Sequence, residues 1–138
     1  MTSAYPTADE AREKVVTLFE ATRKVIGGTD WRVHGRGFGL CYLPDGSEGA
    51  EYEQQEATNA TFEPLTVANE IAALWESEGY HGVTVEPLPE GTGYEVRYPR
   101  DADRVFFEAD ITGFAAVYYM SGPCIPGDFS ELSHSLVR

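Results

Sequence analysis

The second half of the chain limits the fold most. Val83-Thr84-Val85, Tyr94–Tyr98, Val105–Ile111 and Phe114–Met120 are short runs of alternating or β-favouring residues. The turns between them, at Pro89–Gly93, Pro99–Asp103 and Thr112-Gly113, are shorter than the crossover of about a dozen residues that a parallel pair requires. These four strands are therefore expected to pair antiparallel.

The first half supplies two helices. Thr7-Ala8-Asp9-Glu10 has capping-box form, and Ala8, Ala11, Val15, Leu18, Phe19, Thr22 and Ile26 recur at helical steps until Gly27-Gly28. Pro64 opens a second helix with Val67, Ala68, Ile71, Ala72, Leu74 and Trp75 on its buried face, and Gly79 closes it. Between them, Trp31–Tyr42 reads as a bent strand ending in the Pro44-Asp45-Gly46 turn. Glu51–Thr61, polar and weakly alternating, reads as a solvated or edge strand. The expected fold is α+β: a two-layer sandwich with two helices on one face of an antiparallel sheet, in the order α-β-β-α-β-β-β-β. Residues 1–138 are read as one domain, with 1–6 and 130–138 as loose ends.

Taken as a two-residue turn, Thr112-Gly113 sets Ile111 opposite Phe114, Ala109 opposite Ala116 and Phe107 opposite Tyr118. Val105, Phe107, Ala109, Tyr118 and Met120 then face the core. The other face carries Phe106 opposite Tyr119 and Glu108 opposite Val117. With helices on one side only, Phe106, Val117 and Tyr119 are expected to form an exposed apolar patch.

Charge narrows the function. Ten Lys plus Arg stand against 23 Asp plus Glu, a net −13. This balance argues against nucleic acid, whose phosphates demand basic residues in excess. From Gly37 to Val96 there is no Lys or Arg, while 12 carboxylates fall in the same stretch. Such a field either solvates the protein or steers a basic partner. The steering reading places a partner-binding surface at Glu48, Glu51, Glu53 and Glu56, with the Phe106, Val117 and Tyr119 patch as the other candidate. The longest apolar run, Phe114–Met120, is too short to cross a membrane as a helix.

Cys41 and Cys124 are the only cysteines. Lying far apart, each beside a turn, they suggest one disulfide and an oxidising compartment; the alternative is two buried thiols in the cytoplasm. Met1–Pro6 has neither the basic start nor the apolar run of an export signal. The chain is thus either cytoplasmic or a mature fragment, and the cysteines favour the fragment.

No reaction is written in the residues. Gly35-Arg36-Gly37-Phe38-Gly39 is spaced GxGxG and leads to a turn, so its glycines are read as permitting bends, not as a dinucleotide loop. His34, His81 and His134 are isolated, without HExxH or CxxC partners, so no metal or other cofactor is expected. A Cys41–His34 dyad would lose its nucleophile to a disulfide. The chain is therefore read as no enzyme.

Three segments, Gly39–Gly46, Ala73–Tyr80 and Ser121–Gly127, resemble small actinobacterial envelope lipoproteins of the LppA type. The resemblance implies an extracytoplasmic, lipid-tethered binding domain and supplies no catalytic residues. The expected function is non-catalytic recognition of a protein or envelope partner through an acidic surface. The alternative expectation is an immunity protein masking a basic secreted toxin.

Overall fold

The computed structural model describes residues 5–136, with side chains as far as residue 132. Helix α1 (Ala8–Ile26) begins at the expected capping box: Thr7 Oγ1 accepts from the Glu10 amide at 3.1 Å, and Glu10 Oε1 accepts from the Thr7 amide at 2.9 Å. Its stripe buries Ala11, Val15, Leu18, Phe19, Thr22 and Ile26, and Gly27 ends it at φ 75°. Helix α2 (Pro64–Ser77) buries Ala68, Ile71 and Trp75.

The strands are β1 (Arg32–Tyr42), β2 (Glu48–Asn59), β3 (Thr84–Pro87), β4 (Gly93–Tyr98), β5 (Phe106–Thr112), β6 (Ala115–Ser121) and β7 (Ile125–Pro126). They form one antiparallel sheet in the order β1-β2-β6-β5-β4-β3, with β7 paired to the start of β2. A third helix, α3 (Phe129–Leu136), packs over β1 and β2, and β7 and α3 together extend the expected order by two elements. It occupies most of the carboxyl-terminal stretch read as loose; residues 1–4 and 137–138 lie outside the described residues.

The core lies between the helices and one face of the sheet. Tyr118 stacks on Phe19 with centroids 4.0 Å apart and donates its hydroxyl to the Phe19 carbonyl at 3.0 Å. Trp75 lies 5.4 Å from Phe107 and donates to Thr22 Oγ1 at 3.1 Å. Phe107, Ala109, Tyr118 and Met120 are all buried there, as the alternation required.

Two expectations are corrected. The β5–β6 register is shifted by two residues: Ile111 pairs with Ala116, Ala109 with Tyr118 and Phe107 with Met120. The cause is the turn, where Thr112 Oγ1 accepts from the Phe114 and Ala115 amides and lengthens the connection. A slip of two, unlike a slip of one, leaves every side chain on its expected face.

The second correction concerns β2. Its polar sequence suggested a solvated or edge strand, yet it lies inside the sheet between β1 and β6. Glu51, Gln54, Glu56 and Thr58 are buried along with Ala50, Tyr52 and Ala57. Burial is tolerated because the polar groups find partners, some along the strand itself and some from distant elements. Tyr52 donates to Gln54 Oε1 at 2.9 Å, Gln54 Nε2 donates to Glu56 Oε2 at 2.8 Å, and Arg23 of α1 pairs with Glu56 Oε1. Thr58 donates to the Thr29 carbonyl.

Candidate binding face

Alternation along β2 divides the four glutamates expected to act together. Glu51 and Glu53 point to the sheet face away from the helices, whereas Glu48 and Glu56 share the helix side with Tyr52 and Gln54. Glu48 is exposed near the β1–β2 turn; Glu56 is sealed in the core against Arg23. No single surface holds all four.

Antiparallel pairing then carries the uncovered face across three more strands, β6, β5 and β4. Gln55 lies beside Tyr119, Tyr119 beside Glu108, and Glu108 beside Arg97. In the next row Ala57 neighbours Val117, Val117 neighbours Asp110, and Asp110 neighbours Glu95. Phe106 pairs with Ser121, which pairs with Glu53. The structure therefore brings Glu51, Glu53, Phe106, Val117 and Tyr119 onto one surface. Phe106 and Tyr119 lie 6.0 Å apart diagonally, not directly opposite as expected.

Arginines cover part of the apolar patch. Arg97 and Arg100 stack on the Phe106 ring at 5.2 and 5.4 Å from its centroid. Phe106 and Tyr119 are half-buried, and Val117 remains 36% exposed. Arg100 also donates to Glu51 Oε2 at 3.3 Å and to the Arg104 carbonyl at 2.7 Å. The basic residue that neutralises buried Glu51 thus arrives from outside the stretch empty of Lys and Arg.

The glycines of β1 fit this face. Gly39 pairs with Glu51, and a Cβ there would come within 2.9 Å of Glu53 Oε1. The GxGxG segment leaves room for the β2 glutamates; it also permits the irregularity between Val33 and Gly35.

Electrostatics on the face are set by partial burial. Burial raises the Glu51 carboxyl above the ordinary range; Arg100 opposes this and Glu53 adds to it. Tyr119 is pushed up to about 12, first by burial and then by the Glu53 charge. Oxygens of Glu95, Glu108 and Asp110 lie within 4.8 Å of one another. Burial raises the Glu108 carboxyl, with Asp110 and Glu95 adding to it and Arg97 opposing. Burial and then Glu95 raise Asp110, whose Oδ1 is shielded from solvent without a hydrogen-bond partner.

Glu95, Asp110, Arg97 and Arg100 escaped the sequence reading. The alternation of Glu95 with Arg97 and of Glu108 with Asp110 carried the signal, but placing them side by side needs the β4–β5 register. Cys41 and Cys124 do form a disulfide, 6.0 Å between Cα atoms, in a small cluster with Leu43. It fixes β7 against β2 at Gly49, where a Cβ would meet the Ile125 carbonyl oxygen at 2.5 Å and Cys124 Sγ at 3.0 Å. The bond suits an oxidising, extracytoplasmic environment. No described helix is long and apolar enough to cross a membrane.

No family model and no curated protein matches the chain. Among solved structures, it is similar to a DUF4853 family protein from Actinomyces odontolyticus. The two are 11% identical over 88% of this chain and 64% of that one, with a TM-score of 0.48. This chain therefore spans less than two thirds of that protein's length. A likeness this distant carries no functional argument.

Proposed function

We propose that this chain is a non-catalytic extracytoplasmic domain of a lipoprotein-like envelope protein, of the LppA type, that takes a basic protein partner on the uncovered face of its sheet. The observation that carries this reading is the composition of that face. Glu53, Glu95, Glu108 and Asp110 stand in adjoining rows around Tyr119 and Val117, with Arg97 and Arg100 turned onto Phe106. Carboxylates around an aromatic and aliphatic centre suit Lys and Arg side chains, whose apolar stems pack while their heads pair. The disulfide supports the compartment, and lipid tethering belongs to the same proposal.

The test uses a basic peptide as a stand-in for the partner. Dodecalysine is titrated into labelled protein at low and physiological salt while amide shifts are followed. Shifts on β4, β5 and β6 are expected, with an affinity that falls as salt rises. Glu95→Lys with Glu108→Lys should weaken binding roughly tenfold, about 1.4 kcal/mol. These positions serve better than Glu51, where a Lys would face Arg100 in a buried site. Shifts confined to other surfaces, or an unchanged affinity in the double variant, would refute the reading.

A further inference from the structure

The helix side of β2 carries a row of polar groups with an arginine pair at one end. Tyr52 donates to Gln54 Oε1, Gln54 Nε2 donates to Glu56 Oε2, and Arg23 closes the far end at Glu56 Oε1. Two elements reach the Tyr52 end. Arg36 pairs with Gln54 across β1 and β2, on the same face as Phe38, whose ring meets Tyr52 edge-on at 5.5 Å. Arg12 stands on the same flank of α1 as Arg23, about three turns earlier, along a row that includes Val16 and Phe19. Its turn of helix lies over Tyr52. The Gly122 amide donates to the Tyr52 carbonyl at 2.8 Å, and a Cβ on Gly122 would come within 2.8 Å of Val15 Cγ2 and 3.5 Å of the Ala11 carbonyl oxygen.

Neither Arg12 nor Arg36 has a carboxylate partner among the described residues. Arg12 Nε is shielded from solvent and makes no hydrogen bond, an arrangement that a buried donor rarely keeps. Arg36 is exposed on the edge strand. Burial raises the Tyr52 hydroxyl above its ordinary value, the Arg36 and Arg12 charges oppose this, and Glu56 adds to it. Asp9 and Glu13 on α1 and Glu131 on α3 are exposed and are not among the charges that act there. Glu56 is already bonded through both oxygens, to Arg23 and Gln54. Arg23 balances it, which leaves Arg12 and Arg36 unbalanced at the Tyr52 corner of a chain with net charge −13.

We propose that this corner binds a small soluble phosphate monoester, its oxygens bridging the guanidinium groups of Arg12 and Arg36. Two guanidinium groups match the charge of a phosphate dianion and offer planar N–H forks to its oxygens, whereas a carboxylate neutralises only one of them. A lipid surface suits the corner less well. The molecule as a whole is repelled by an anionic bilayer, while a small anion at close range feels the two arginines and is screened from more distant carboxylates over roughly 8 Å. Alternation puts Tyr52 and Gln54 on the opposite side of β2 from Glu51 and Glu53, so the proposal does not rest on the reading of the acidic face.

Phenyl phosphate and benzoate present the same ring with a dianionic and a monoanionic head. Each is titrated into the intact, oxidised protein at matched ionic strength, while backbone amide and arginine Nε–H resonances are followed. Phenyl phosphate should bind at least about fivefold more tightly than benzoate and shift the Arg12 Nε–H together with the Arg36 and Gln54 amides. Arg36→Gln should remove roughly tenfold of that affinity and Arg36→Lys should restore part of it, while Arg32→Gln should change it less than about twofold. Arg32 is the control because it is exposed on the same strand but pairs with Ala57, on the uncovered face. Equal losses from Arg32→Gln and Arg36→Gln, equal binding of the two probes, shifts confined to other surfaces, or no binding of phenyl phosphate would each overturn the proposal. Capture by phosphatidic acid vesicles in sedimentation, lost in Arg36→Gln, would move the ligand from solution to a lipid surface and overturn it as well. The dodecalysine titration reads the other side of the sheet, so the two readings fail separately.

Discussion

Arg23 of α1 and Glu56 of β2 form an ion pair that is open at one end and closed at the other. The Arg23 side chain is 38% exposed, the Glu56 side chain 2%. Arg23 also lies 5.5 Å over the Trp31 ring, so its stem and head are both fixed. Removing one partner of an enclosed pair costs about 3–5 kcal/mol, because a buried charge is left behind. Since Arg23 is partly solvated, Arg23→Met should cost less, about 2–3 kcal/mol. Arg23→Met with Glu56→Gln should recover more than half of that loss. Urea melts of the two single variants and the double one check it; additive losses would deny the coupling.

The disulfide closes a loop of 83 residues. In the chain-entropy model such a loop is worth about 4–5 kcal/mol, and measured values run lower. Cys41→Ala with Cys124→Ala is expected to cost about 2–4 kcal/mol in denaturant melts. Protein alkylated before reduction should show no free thiol.

Gly49 is the point where β2 meets β7 and the disulfide. A methyl there would run into the Ile125 carbonyl and Cys124 Sγ. Gly49→Ala should destabilise by about 2–3 kcal/mol, as overpacking commonly does. Amide exchange should accelerate first at Ile125, whose residue pairs with Ala50. Wild-type exchange at Ile125 would place the strain elsewhere.

Three carboxyls on the uncovered face, Glu51, Glu108 and Asp110, hold protons more tightly in the folded than in the unfolded chain. Their contribution to stability is present below the unfolded carboxylate range of about 4 and is lost as pH rises through the raised folded values. Glu10, Asp45, Glu76 and Asp128 have lowered values, so theirs is present above that range and lost as pH falls through the folded values. Stability should therefore peak on the acid side of neutrality, near about pH 5. Asp110→Asn should raise Tm at pH 7 by about 2–4 °C, with the gain shrinking towards pH 4. A gain equal at both pH values would mean altered packing, not titration.

Local signals carried much of the fold. The capping box at Thr7 and Glu10 and the stripe from Ala11 to Ile26 located α1, because both depend only on residues within a few turns. Face assignment in β5 and β6 survived a wrong register because alternation is preserved by an even slip. What escaped depended on distance in sequence. Gln54 and Glu56 look solvated until Arg23, 33 residues before Glu56, is brought to them. Arg100 is 49 residues from the Glu51 it neutralises. Strand β7 has only two residues and no periodicity to display. The candidate face was half legible: Phe106, Val117 and Tyr119 follow from alternation, whereas Glu95 and Asp110 meet only through β4–β5 pairing.

The junction of β2 with β6 has a kinetic consequence. The β1–β2 hairpin and the β3-to-β6 meander can each form from neighbours in sequence, but Thr58 must find Ala116 across the whole of α2 and three strands. The entropy of closing that loop falls due before the core formed by Tyr118 and Phe19 rewards it. Refolding is therefore expected on a scale of milliseconds to seconds, with the seam as the late event. Substitutions at Thr58 or Ala116 should then chiefly hasten unfolding, while those in the meander should slow refolding.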